Sequence, residues 1–211
     1  IYEENSGLLP TTAYMDRRYG RAGWTRGFLP SLGIGQGELG VTPLQMALYA
    51  AVLGNRGAYH QPHVLHAVIA KNLRTIDTLT FQNRQIAVAP ATGDVIREGM
   101  RRVVEAEGGT GGMARVRGIQ REEKTGTAQN PHGPDHAWYI GFAPFDNPRI
   151  AIAVLVENAG FGGSTAAPIA GLCIERYLYG RLIRTKEVPA PTPRRVVTPK
   201  APPPEHAATL Q

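Results

Sequence analysis

Apolar positions along this chain fall into spacings that predict different elements. From Pro90 onward, Val95, Ile96, Gly99, Met100, Val103 and Val104 recur one and four residues apart, which places them on one face of an amphipathic helix. The helix is expected to end before the stretch EGGTGG at 107–112, which reads as a mobile glycine-rich loop. An earlier helix announces itself at Thr42, which can cap, with Pro43 suited to the first helical position, Gln45 completing a capping box and Gly54 as a stop. Segments 120–128, 137–143 and 149–157 predict three strands, and the connections between them are short enough to favour antiparallel neighbours. Then GFGGSTAAPIAGLCIERYLYG predicts a last helix packed across the sheet, with Ile169, Leu172, Cys173, Arg176 and Tyr177 at helical spacing and Gly180 as terminator.

Elsewhere the periodicity fails. Residues 1–41 hold Gly and Pro at short intervals and predict extended, loop-rich structure, while the stretch from Gly57 to Pro90 predicts short strands or extended arms. Beyond Lys186, frequent proline and scarce apolar residues predict a disordered tail, so the chain divides into a globular unit over 1–185 and a Pro-rich segment over 186–211.

Composition narrows the function. The 211 residues are 42% hydrophobic, enough for a core, and the formal charge of +6 comes from scattered Lys and Arg without interleaved exposed aromatics, which argues against nucleic-acid binding. The longest apolar run, 150–156, is far too short to cross a bilayer, which needs about 20 residues. The opening IYEENSGLLP has no initiator Met, basic n-region or apolar h-region, and reads as a cut made inside a larger protein. Cys173, the one cysteine, sits among Ile169, Leu172 and Ile174 and is expected to be a buried, inert thiol.

The chemistry concentrates in Lys124-Thr125-Gly126-Thr127. On a strand, Thr125 and Thr127 share a face, so two hydroxyls can converge on one carboxylate or carbonyl; Lys124 adds a cation, and Gly126 lets a substrate backbone approach and pair with the strand edge. That suits an extended, anionic peptide end. The bland alternative is a strand with exposed Thr and Lys. Glu122 and Glu123 point to opposite faces and cannot cooperate as an acid/base pair. His132, Asp135 and His136 lie on a loop with two prolines that offers few fixed ligands, so no metal site is expected; His136, where the second strand begins, is a candidate for the cleft rim. His60, His63 and His66 are interrupted by Pro62. Trp138 and Tyr139 are expected to face cleft and core, one each, and GFGGS to form a tight turn, with an anion cradle at a helix N-terminus, its backbone touching the cleft, as the alternative.

In the context of GIGQGELGVTPLQMALYAAVLGNRG upstream and HAWYIGFAP downstream, KTGTAQ resembles the third active-site motif of penicillin-binding protein transpeptidase domains. SGLLPT, SLGIGQGELGVTPLQMA and ENAGFGGSTAAPIA are similar to the class B, elongation-type members, the penicillin-binding protein 2 group. The resemblance reaches to about residue 183. It implies an α/β (α+β) transpeptidase or serine β-lactamase-like fold, an antiparallel sheet flanked by helices, here incomplete. It also implies acyl transfer from D-Ala-D-Ala stem peptides of peptidoglycan through a serine acyl-enzyme, blocked by β-lactams, with no cofactor. Lys124 would assist proton transfer and electrostatics, Thr125, Gly126 and Thr127 would hold the donor, and the Thr127 N–H would be one oxyanion donor. Partners implied are a glycan-polymerising membrane protein and elongation scaffold proteins, at the periplasmic face of the cytoplasmic membrane, with the membrane reached only through an upstream anchor. The family's S-x-x-K and S-x-N motifs have no counterpart: Ser6, Ser31 and Ser164 are followed three residues on by Leu9, Ile34 and Ala167. The chain alone is therefore expected not to acylate. A division-type transpeptidase, a D,D-carboxypeptidase and a non-enzymatic β-lactam sensor or structural domain stand as alternatives.

Overall fold

The computed structural model describes residues 4–69 and 76–183. The Pro-rich tail and the domain limit at 185 lie outside the described residues. Among the described residues, five α-helices and seven strands follow in the order α1 (Thr12–Tyr19), α2 (Phe28–Gly33), α3 (Pro43–Gly54), β1 (Ala58–His60), β2 (Ala67–Ile69), β3 (Ile76–Thr78), β4 (Asn83–Gln85), α4 (Pro90–Glu105), β5 (Glu122–Ala128), β6 (His136–Ala143), β7 (Ile150–Val156) and α5 (Gly162–Tyr179). β5, β6 and β7 form an antiparallel sheet with β6 in the middle, while β1 pairs with β4 and β2 with β3 as small two-stranded arms.

Strand alternation sorts the core into two layers. Ala137 and Tyr139 of β6 face α5 and pack with Ala166, Ala167 and Ala170. Phe142 faces the other way, against Leu53 of α3 and Met100 of α4. The central strand is thus covered by helices on both sides, which is why HAWYIGFA shows little hydrophobic alternation.

α3 starts as its sequence predicts: Gln45 N–H donates to Thr42 Oγ1 at 3.2 Å, and Thr42 N–H donates to Gln45 Oε1 at 2.9 Å. α5 ends at Gly180 in the left-handed conformation, φ 71°.

Several expectations fail. Residues 1–41 are not all extended, because α1 and α2 form there. Thr11 caps α1, and tertiary contacts supply what a short helix lacks: Tyr14 and Tyr19 both donate to Glu38, and Trp24 Nε1 donates to Asp16 at 2.8 Å. On α4, Met100 and Val104 are buried as expected, but Val95 is 73% exposed and Arg97 is buried beside them. The buried face of α5 is its small-residue stripe, and Ile169, Cys173 and Tyr177 point outward. Cys173 is exposed, contrary to expectation, because Ala and Gly let α5 approach the sheet more closely than a bulkier stripe would. Gly162 shows the closeness: a Cβ there would stand 2.1 Å from the Trp138 carbonyl oxygen and 2.4 Å from that of Gly126. Of the glycine-rich stretch at 107–112, read as a mobile loop, Thr110 and Gly111 are held against β5, and Gly111 N–H donates to the Val103 carbonyl at 3.0 Å.

Candidate active site

Among the described residues β5 is an edge strand, and one side of its backbone has no ladder partner there. In an antiparallel pair, the N–H and C=O of a residue point the same way, alternating between the partner strand and the open side. Gln36 Nε2 donates to the Thr127 carbonyl at 3.2 Å, and Lys124 Nζ donates to the Thr125 carbonyl. The backbone groups of Thr125 and Thr127 therefore face off the sheet, while those of Lys124 and Gly126 join β6 opposite Ile140 and Trp138.

A recess borders this edge on each face. One, of about 250 Å³, lies on the α2–α3 side and is lined by Ile34, Gln36, Val41, Met46, Trp138 and Ile140. The other, of about 540 Å³, lies on the α5 side with Thr110, Met113, Phe161, Gly162, Gly163 and Ser164 on its walls. Lys124, Thr125, Gly126 and Thr127 line both. Trp138 faces the first recess and Tyr139 is buried in the core, the division expected of that pair.

Two buried ion pairs anchor the strand just before Lys124, one on each face. Glu122 accepts from Arg97 Nε at 3.0 Å, and Glu123 accepts from Arg121 Nε at 3.2 Å and from Tyr139 O–H at 2.7 Å. The separation of the two carboxylates is as the strand geometry predicted. Burial pushes the Glu122 carboxyl up to about 7, against the lowering effect of Arg97. Burial also raises the Glu123 carboxyl, opposed by Tyr139 and Arg121, and holds the Tyr139 hydroxyl well above its usual range, reinforced by the Glu123 charge. One oxygen of each carboxylate, Glu122 Oε2 and Glu123 Oε1, has no hydrogen-bond partner among the described residues, which keeps the desolvation cost high.

His136 stands apart. It opens β6 opposite Ala128, its Nδ1 accepts the Asn158 N–H at 3.0 Å, and it lines neither recess. A further recess of about 620 Å³ lies at the other end of β5, beside Arg115, Arg117, Gln120 and Pro144, away from Lys124–Thr127.

Sequence reasoning missed Arg97, Gln36 and Thr110. Arg97 was legible only as a charge beside an apolar stripe, with two adjacent glutamates on a later strand waiting for cations. Gln36 belongs to GIGQGELG, where nothing local marks a side chain reaching 91 positions along the chain. Thr110 is a hydroxyl among glycines, a pattern that reads as a turn.

A family model for the penicillin binding protein transpeptidase domain matches residues 3–175. Peptidoglycan D,D-transpeptidase MrdA of Haemophilus influenzae is 34% identical over 209 residues, taking in 90% of this chain and 32% of the relative. Penicillin-binding protein PBP2 of Pseudomonas aeruginosa, solved in complex with WCK 5153, superposes with a TM-score of 0.72 at 33% identity, covering 86% of this chain and 40% of that one. The ceftriaxone acyl-enzyme of Mycobacterium tuberculosis penicillin-binding protein A gives 0.64 at 36% identity, over 71% and 35%. PBP2 of Helicobacter pylori in complex with MreC gives 0.66 at 26% identity, over 86% and 32%. The chain spans about a third of the length of the curated relative it matches. The family match over residues 3–175 takes in the β5 edge and both of its recesses: the chain belongs to the penicillin-binding protein transpeptidase family.

Proposed function

We propose that this chain is the substrate-holding part of a peptidoglycan D,D-transpeptidase of the elongation type. One observation carries the reading: Lys124-Thr125-Gly126-Thr127 occupies an open sheet edge between two recesses, with the Thr125 and Thr127 backbone groups facing off the strand. An extended stem peptide ending in D-Ala-D-Ala lies along that edge as an added strand. Its terminal carboxylate meets the hydroxyls of Thr125 and Thr127, and Gly126 keeps the approach clear.

A serine outside this chain attacks the penultimate carbonyl, terminal D-Ala leaves, and an amine from a neighbouring stem peptide takes the acyl group. The Thr127 N–H stabilises the oxyanion, and Lys124 supplies positive charge and assists proton transfer. β-Lactams enter the same place and remain as acyl-enzymes, in the way the mycobacterial relative does with ceftriaxone. Likeness to MrdA and PBP2 favours the elongation role over a division-type enzyme or a carboxypeptidase. The MreC bound to the Helicobacter PBP2 is the kind of scaffold partner expected, together with a glycan-polymerising membrane protein. An enzyme that acts on peptidoglycan would work at the periplasmic face of the cytoplasmic membrane, and that is the location proposed for the whole protein.

Turnover of a thioester stem-peptide mimic with a D-amino-acid acceptor by the full-length gene product tests the reading. Transfer that falls when Thr125 and Thr127 are changed to Val supports it; β-lactam binding without any donor turnover points to a sensor instead.

A further inference from the structure

Thr110 lies on the α5 side of β5, in the glycine-rich loop that follows α4, and its Oγ1 is 2.6 Å from Thr125 Oγ1. Two close backbone approaches hold it there. A Cβ on Gly111 would stand 1.5 Å from Glu123 Oε1, and one on Gly163 would stand 2.4 Å from the Thr110 carbonyl oxygen. The loop is thus registered on the strand, with Gly111 over Glu123 and Thr110 over Thr125, and clamped from outside by the first turn of α5. Thr110 itself is exposed to the 540 Å³ recess, whereas Thr125 is 7% exposed.

A hydroxyl has one proton to give, and a carboxylate can only accept. If Thr125 gave its proton to Thr110, it would present lone pairs to an incoming anion. If Thr110 donates to Thr125, the Thr125 proton is free to point into the recess, and a chain of two donors ends on the anion, each polarising the next.

We propose that Thr110 is a positioning residue for the donor's terminal carboxylate, donating to Thr125 so that the Thr125 hydroxyl is held as a donor toward that anion. The proposal rests on the transpeptidase reading above and adds a specificity element to it. Thr110 selects for a negative charge at the end of the substrate, not for the peptide backbone.

The test uses the full-length gene product, acylated by penicillin G and by its methyl ester, with second-order rates followed by intact mass. Thr110→Val is expected to slow acylation by the free acid about five- to tenfold, the worth of one orienting hydrogen bond, and to leave the rate with the ester almost unchanged. Thr110→Ser restores the acid rate, and adding Thr110→Val to Thr125→Val slows it no further than Thr125→Val alone. Because the acid-to-ester ratio is taken within each variant, a partly folded preparation does not mimic the effect. An unchanged acid rate in Thr110→Val, or an equal loss on acid and ester, overturns the positioning role while leaving the transpeptidase reading in place. A wild-type protein that takes no label from penicillin G overturns both.

Discussion

Arg97 and Glu122 meet at 3.0 Å with side-chain exposures of 5% and 0%, joining α4 to the start of the strand that carries Lys124. The same guanidinium donates to the Phe145 carbonyl at 2.5 Å and reaches the Gly54 carbonyl at the end of α3 at 3.5 Å. It also lies 5.0 Å and 5.4 Å from the ring centroids of Phe145 and Phe142. A single planar cation therefore fixes α3, α4, β5 and the β6–β7 connection to one another.

Changing Arg97 to Met leaves the Glu122 carboxylate buried without its cation. Removing one partner of a buried pair costs about 3–5 kcal/mol. Urea denaturation of full-length Arg97→Met at about pH 8, where the wild-type Glu122 carboxyl is ionised, is expected to show a loss of that size, and the double change with Glu122→Leu to recover much of it. A loss under about 1 kcal/mol for the single change would mean that the pair does not anchor the strand.

The Glu122 carboxyl also predicts a pH dependence. Its pKa in the folded protein, about 7, lies above the ordinary carboxylate value, so the folded state binds the proton more tightly than the unfolded state does. That contribution to stability is fully present below about pH 4.5 and is lost as pH rises through about 7. Melting temperatures of wild type and Glu122→Gln, compared from pH 5 to 8, should show the wild type losing ground to the variant as pH rises. A constant difference across the range would contradict the assignment.

Thr127 offers a backbone test. Its N–H points off the free edge, so proline at this position removes the proposed oxyanion donor without removing a ladder hydrogen bond to β6. Relative to Thr127→Val, which removes the hydroxyl alone, Thr127→Pro is expected to lower kcat by about a further 10²–10³ with folding kept, measured by thioester turnover and circular dichroism. Loss of the fold, or retention of full kcat, would count against the geometry.

Gly162 is required by packing. An alanine Cβ would fall 2.1 Å and 2.4 Å from the carbonyl oxygens of Trp138 and Gly126, so the backbone of β5 and β6 would have to move. Gly162→Ala is expected to cost about 1–3 kcal/mol and to slow acylation at the same time. A melting temperature equal to wild type would refute it.

Much of this was legible from the chain, for reasons that can be stated locally. The capping box at Thr42 and Gln45, the left-handed stop at Gly180 and the three strands follow from turn chemistry and short connections, and the opposition of Glu122 and Glu123 follows from strand alternation. What stayed hidden depends on contacts distant in sequence. α1 forms because Glu38 collects Tyr14 and Tyr19, and the buried face of α5 is chosen by how closely the helix can approach, which hydrophobic spacing does not register. In the site, Lys124 to Thr127 stood out as a motif. The partners that orient them, Gln36 and Thr110, are polar residues in glycine-rich stretches whose roles exist only once the strand edge is built.

The most direct test of the central claim is covalent labelling by a fluorescent penicillin, applied in parallel to the full-length gene product and to this chain, with the adduct located by peptide mapping. The expected result is an adduct on a serine of an S-x-x-K segment in the full-length protein and none on Ser6, Ser31 or Ser164. A stable adduct on any of those three serines, or no adduct on the full-length protein, would contradict it.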